Sequence, residues 1–208
     1  MTRTEWARAD EGEWPVAGPY TDLSPVIAAS THWLARAYPP AAADSSAHGR
    51  AEVQARQAVT VAAWLRYPTE MDAALVAVAG PGGSASLDWR VGSEPDDEMA
   101  DGEGWRTWVD EVVVSWAACL LADPALAARA VDSVASAVPS VDDVPRPRRR
   151  RAAGLPSEFR RLTDPDSRDL DASVLLRHPD LLEPVSSMHR DDLHYLLGMP
   201  ASEQTQPA

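Results

Sequence analysis

Residues 105–138 read WRTWVDEVVVSWAACLLADPALAARAVDSVASAV, and two helical periods run through them. Trp105, Trp108, Val112, Trp116 and Cys119 recur at i, i+3, i+7, i+11 and i+14, with Val109, Val113 and Leu120 alongside. Steps of three and four residues bring side chains onto one helix face, so the pattern predicts a helix from Trp105 to Leu121. Asp123-Pro124 then restarts the chain. An aspartate suits the N-cap, and proline suits the first helical position, where its missing N–H costs nothing. Leu126, Ala130, Val131, Val134 and Val138 form the apolar stripe of this second helix. The connection is very short, which predicts an antiparallel or sharply angled pair.

Working outward, the N-terminal side carries two more helical patterns. Ser24 can cap and Pro25 can open a helix in which Val26, Ile27, Ser30, Trp33, Leu34 and Ala37 share a face, and Tyr38-Pro39-Pro40 ends it. Ala41 to Gly49 reads as a small-residue loop. A second helix over about Arg50 to Arg66 groups Val53, Gln57, Val61, Trp64 and Leu65, and Tyr67-Pro68 stops it. Residues 73–91 predict a β-hairpin: Leu75 to Ala79, the turn Gly80-Pro81-Gly82-Gly83, then Leu87, Trp89 and Val91 alternating with polar residues. A helix from Thr69 through Ala79 is the competing reading of the first arm. Beyond Pro139 order breaks, and three short helices are expected at Ser157–Leu162, Ala172–Arg177 and Asp191–Leu197, separated or bounded by prolines.

The fold class is therefore mainly α, with one minor β-hairpin. The expected organisation is a flexible arm over 1–21 and a helical core over 22–138. A Pro/Arg-rich linker over 139–154, a short helical segment over 155–200 and a disordered tail over 201–208 follow.

Charge divides the chain differently. Residues 1–144 carry nine arginines against 22 carboxylates, residues 145–162 seven against one, and residues 163–208 three against nine. A basic island, centred on Arg146, Arg148, Arg149, Arg150 and Arg151 and followed by Arg160 and Arg161, thus interrupts a chain of net charge −13. A pI near 4.7 argues against a general nucleic-acid binder, which needs a basic face. Three uses of the island stay open: a contact with nucleic acid or an acidic partner, docking onto an acidic surface of the same chain, or a solvated stiff linker.

There is no lysine, so Schiff-base, P-loop and lysine-base chemistry are excluded. Bacterial coding bias toward GC-rich codons accounts for that absence. Cys119 is the sole cysteine, so no internal disulfide can form and a cytoplasmic home is expected. Its place in an apolar helix predicts an inert thiol with a raised pKa. No secretory signal is legible at the N-terminus, and the longest apolar run, Val112 to Ala122, is broken by Ser115 and too short for a membrane span.

Candidate site residues are few. Asp96, Asp97, Glu98 and Asp101 crowd an acidic loop, but Met99 and Trp108 fall where a calcium loop needs oxygen ligands, so no metal is expected. His189 and His194 stand five apart and lack a metalloprotease motif. No nucleophile motif, cofactor loop or named family emerges. The leading expectation is a non-enzymatic interaction protein of inhibitor, immunity or adaptor type. It would bind a protein with a basic surface, using the acidic loop residues, the arginine tract, or both. The alternatives are a nucleic-acid-associated regulator that uses Arg146–Arg151 as a basic arm, and an enzyme with an unrecognised site around His189, Asp192 and His194.

Overall fold

The computed structural model describes residues 23–40, 45–79, 109–137 and 155–199, and all regular structure among them is helical. In chain order the helices are α1 (Ser24–Ala37), α2 (Ser45–Arg66), α3 (Glu70–Ala79), α4 (Glu111–Ala122) and α5 (Pro124–Ala137). They continue with α6 (Leu155–Glu158), α7 (Arg160–Thr163), α8 (Ser167–Ala172), α9 (Pro179–Ser186) and α10 (Arg190–Leu196). The expected arm, the acidic loop, the linker and the tail lie outside the described residues.

The central element is α4. Every residue from Val113 to Leu121 is buried, so this helix is apolar all round and has neighbours on every side. It packs chiefly against α2 and α9, and also against α1, α5 and α10. Helix α2 can lie close to it because its inner face is built from alanines: Ala51, Ala55, Ala58, Ala62 and Ala63 are all buried. The C-terminal helices contribute to the same core, through Phe159, Leu162, Leu176, Leu182, Val185 and Leu193. Phe159 meets Trp64 edge to face at 5.8 Å between ring centroids, a favoured aromatic arrangement.

Several sequence expectations change. The first arm of the hairpin, Leu75 to Ala79, is helix α3, and the second arm lies outside the described residues. The helix starts on a reciprocal cap. The Thr69 N–H reaches Asp72 Oδ2 and the Asp72 N–H reaches Thr69 Oγ1, both at 3.2 Å. That cap, followed by an alanine-rich run, outweighs the β-propensity of Val76 and Val78. Helix α2 begins at Ser45, so the expected 41–49 loop gives up His48 and Gly49 to a helix, and Val53, expected on the inner face, is exposed. Helix α1 starts at Ser24 with Leu23, not Ser24, in the cap position. Residues 173–177 form turns where a helix was expected, while Pro184, expected at a boundary, lies inside α9.

The largest shift is in α4, which begins at Glu111 and not at Trp105. Asp110 is extended (φ −90°, ψ 125°), and its Oδ1 accepts from the N–H groups of Val112 and Val113 at 2.9 and 3.1 Å. That is an N-cap, and a helix cannot run through its own cap. Trp105 and Trp108 lie outside the described residues. The other oxygen of Asp110 accepts the hydroxyl proton of Tyr67, just past the end of α2. Asp123 acts as expected: its Oδ1 accepts from Ala125 and Leu126 at 2.9 and 3.1 Å and opens α5.

Asp110→Ala is expected to cost about 1–2 kcal/mol for the cap, with about 1 kcal/mol more for the lost Tyr67 bond. Urea unfolding of Asp110→Ala, Tyr67→Phe and the double variant checks this. The double loss should fall short of the two single losses added together, because both variants delete the same bond.

Candidate functional site

The densest polar constellation is centred on Asp169, in α8, whose side chain is fully buried. Asp166 and Asp169 build a capping box at the start of that helix. Asp166 Oδ1 accepts from the Asp169 N–H at 2.8 Å, and Asp169 Oδ2 accepts from the Asp166 N–H at 3.3 Å. The Asp169 N–H is also the main reason that the Asp166 carboxyl is held below its usual range.

Three arginines converge on the buried carboxylate. Arg50 of α2 reaches Oδ1 at 3.2 Å, Arg161 reaches Oδ1 at 3.4 Å, and Arg160 reaches Oδ2 at 2.9 Å. A buried carboxylate is tolerated only when paired and hydrogen-bonded, and this one meets both conditions. The backbone carbonyl of Asp169 also accepts, from the fully buried Gln54 Nε2 at 2.8 Å and from Ser173 Oγ at 2.6 Å. Gln54 Oε1 in turn accepts from Arg177 Nε and Nη2, at 3.2 and 3.1 Å. Arg177 completes the network by donating to the Leu121 carbonyl, near the end of α4, at 2.6 Å. Burial pulls the Arg177 guanidinium below its usual pKa, and the Asp169 charge opposes that shift. In chemical terms this is a structural clamp, because its donors and acceptors face one another.

The residues singled out in the sequence fall as follows. Arg146, Arg148, Arg149, Arg150 and Arg151 lie outside the described residues, as do Asp96, Asp97, Glu98 and Asp101. The last two arginines of the basic island, Arg160 and Arg161, dock on a carboxylate of their own chain. The acceptor is Asp169. His189 Nδ1 lies 3.3 Å from Asp192 Oδ2 within one turn, while His194 Nδ1 is buried and makes no hydrogen bond among the described residues. No group of three His, Cys, Asp or Glu among the described residues could hold a metal ion. His32 and His48 are exposed and line a cleft between α1 and α2.

Cys119 sits beneath the α9–α10 turn. Its thiol donates to the Ser186 carbonyl at 3.1 Å, and Ser115 Oγ donates to the same oxygen at 3.4 Å. Ser115 Oγ also accepts from the His189 N–H at 3.0 Å, and the Trp116 indole N–H donates to the His189 carbonyl at 3.0 Å. Ser115, which interrupts the apolar run in the sequence, is thus one of the pins that fasten α4 to this turn. Desolvation pushes the thiol up to about 11, with Arg190 pulling the other way. That is the direction of an inert thiol.

Sequence reasoning missed Arg50, Gln54, Asp169 and Arg177. Only the capping pattern Asp166-x-x-Asp169 was legible locally; the partners come from other helices. No helix among the described residues is long and apolar enough to cross a membrane. Comparison with protein-family models, with curated proteins and with solved structures finds no match.

Asp169→Asn should cost about 3–5 kcal/mol in urea unfolding, because three guanidinium groups lose a buried counter-charge. Arg160→Gln or Arg161→Gln should each cost about 1 kcal/mol or less, since both side chains are partly exposed. An Asp169→Asn protein as stable as the parent would remove the clamp. For Cys119 the folded pKa lies above the ordinary 9.0, so its contribution is complete below pH 9.0 and is lost as pH rises toward about 11. Denaturation between these limits should show a decline of about 2–3 kcal/mol in the parent that Cys119→Ala lacks.

Proposed function

We propose that this protein is a non-enzymatic interaction module that recognises a partner with a basic surface. The observation that carries the reading is the outer face of α10. Leu193 anchors this helix in the core, while Asp191, Asp192, Tyr195 and Leu196 all face solvent. Tyr195 is 88% exposed and Leu196 48%. Spacing of i, i+4 places Asp191 beside Tyr195 and Asp192 beside Leu196, so an apolar anchor is bordered by two carboxylates. Tyrosine is among the residues that most often carry binding energy at interfaces. Gly198 holds the end of the helix in a fixed place: at φ +63° it closes a Schellman motif. In that motif the Gly198 N–H reaches the Tyr195 carbonyl at 3.1 Å and the Met199 N–H reaches the His194 carbonyl at 2.8 Å.

Charge supports the same direction. A chain of net charge −13 attracts a basic partner at long range, and such steering weakens with salt. The aromatic anchor then supplies contact energy that charge alone lacks. In this reading the enzyme alternative has the least support, because the His189–Asp192 pair is a single exposed contact and His194 takes no part in it.

Capture of partners from native extract by the full chain, at about 50 mM and about 500 mM salt, tests the reading. A protein partner should be retained at low salt and released at high salt. The variant Tyr195→Ala/Leu196→Ala should bind that partner at least about tenfold more weakly, as expected for a hot spot. Retention unchanged by the double variant and by salt would refute the proposal. Retarded DNA or RNA at low salt, lost when Arg146, Arg148, Arg149, Arg150 and Arg151 are replaced by Gln, would instead favour the basic-arm alternative.

A further inference from the structure

The seam between α1 and α2 opens into a cleft of about 260 Å³. One stripe of α1 forms one wall, with Ala28, Thr31, His32 and Ala35 at i, i+3, i+4 and i+7. The alanines leave the space open. One stripe of α2 forms the other wall, with His48, Glu52 and Arg56 at i, i+4 and i+8. The cleft is therefore lined by a guanidinium and two imidazoles, with one carboxylate and one threonine among them.

That carboxylate is already engaged. Arg56 Nη2 donates to Glu52 Oε1 at 2.9 Å, which cancels one charge pair and orients the guanidinium. A guanidinium has five N–H donors, and no other protein acceptor meets this one among the described residues. Thr31 is 2% exposed, and its hydroxyl has no hydrogen-bond partner among the described residues. A buried hydroxyl without a partner is unfavourable. Among the lining residues only His32, His48, Glu52 and Arg56 can carry charge. The cleft is thus neutral when both imidazoles are neutral, and reaches a charge of +2 when both are protonated. On a chain of net charge −13 a cleft with no excess of carboxylates is a local exception, and it does not repel an anion as the rest of the chain does.

We infer that this cleft binds a phosphate group, either free phosphate or the phosphate of a small ester. Guanidinium and imidazole N–H donors line the cleft from two helices, which suits the several oxygens of a tetrahedral oxyanion better than the two coplanar oxygens of a carboxylate. A metal ion is the wrong occupant, since no three potential ligands come together there. The site is independent of the α10 face.

Imidazole resonances of the full chain, followed by NMR at about pH 6, test the inference. Inorganic phosphate, glycerol phosphate, acetate and chloride are titrated at matched ionic strength. His32 and His48 should move saturably with a Kd of about 1 mM, while His178, His189 and His194 stay still. Binding of glycerol phosphate without inorganic phosphate assigns the ester as the source; binding of both assigns the phosphate group alone. Arg56→Gln and His48→Asn should each weaken binding about tenfold, with unchanged thermal melting because both side chains are exposed. The inference is overturned by the absence of saturable movement with either phosphate up to about 50 mM, far above that Kd. Acetate matching phosphate overturns it too, as does all five histidines shifting together.

Discussion

A fully buried carboxylate, Asp169, holds the helices of residues 155–199 against the rest of the described core. A charge out of water is strongly unfavourable unless opposite charges and hydrogen bonds meet it. Arg50, Arg160 and Arg161 meet it here, so α2 and α7 must both be in place before α8 can be buried. Gln54 and Arg177 extend the requirement to α4 through the Leu121 carbonyl. Breaking such a pair is costly, whereas its net gain over an apolar core is small. Its consequence is specificity: only one docking of the C-terminal helices satisfies every member.

The clamp works because α4 provides a rigid post. A helix buried on all sides offers no polar surface of its own, so its fixing in rotation falls to a few polar pins. Ser115, Trp116 and Cys119 are those pins, all reaching the backbone around Ser186 and His189. Asp110 fixes the same helix at its start by capping it and receiving the Tyr67 hydroxyl. With both ends tied, the α9–α10 turn is held in place. The outer face of α10 is therefore a presented surface on a held element, as a binding anchor needs to be.

The distribution of charge acquires a different meaning once the fold is in view. In the sequence, Arg160 and Arg161 belong with Arg146–Arg151 as one basic island. In the structure they belong to Asp169, and much of their charge is spent inside the molecule. The exposed carboxylates of α10 stand beside an apolar anchor, while the α1–α2 cleft is lined by two histidines and by an arginine paired with a glutamate.

Local signals were legible in the residues themselves. Proline stops at Tyr38-Pro39 and Tyr67-Pro68, the Asp123-Pro124 restart and the buried stripe Leu126, Ala130, Val131 and Val134 of α5 all act within a few residues, and each is found where the pattern placed it. Where two local signals competed, the outcome was less legible. Over 73–79 the Thr69–Asp72 cap and the alanines prevailed over β-branched side chains, and the capping preference of Asp110 set the start of α4 inside the span that the apolar period marks as helix. Composition alone also dictated the raised thiol of Cys119, since any cysteine inside an apolar helix is desolvated. The partners of Asp169 were beyond local reading. Arg50 lies 119 residues away and Gln54 115, and no spacing rule links such positions. Only the packing of α2 against α8 turns an ordinary aspartate into a buried anion, because burial and pairing are properties of the assembled core and not of any segment within it.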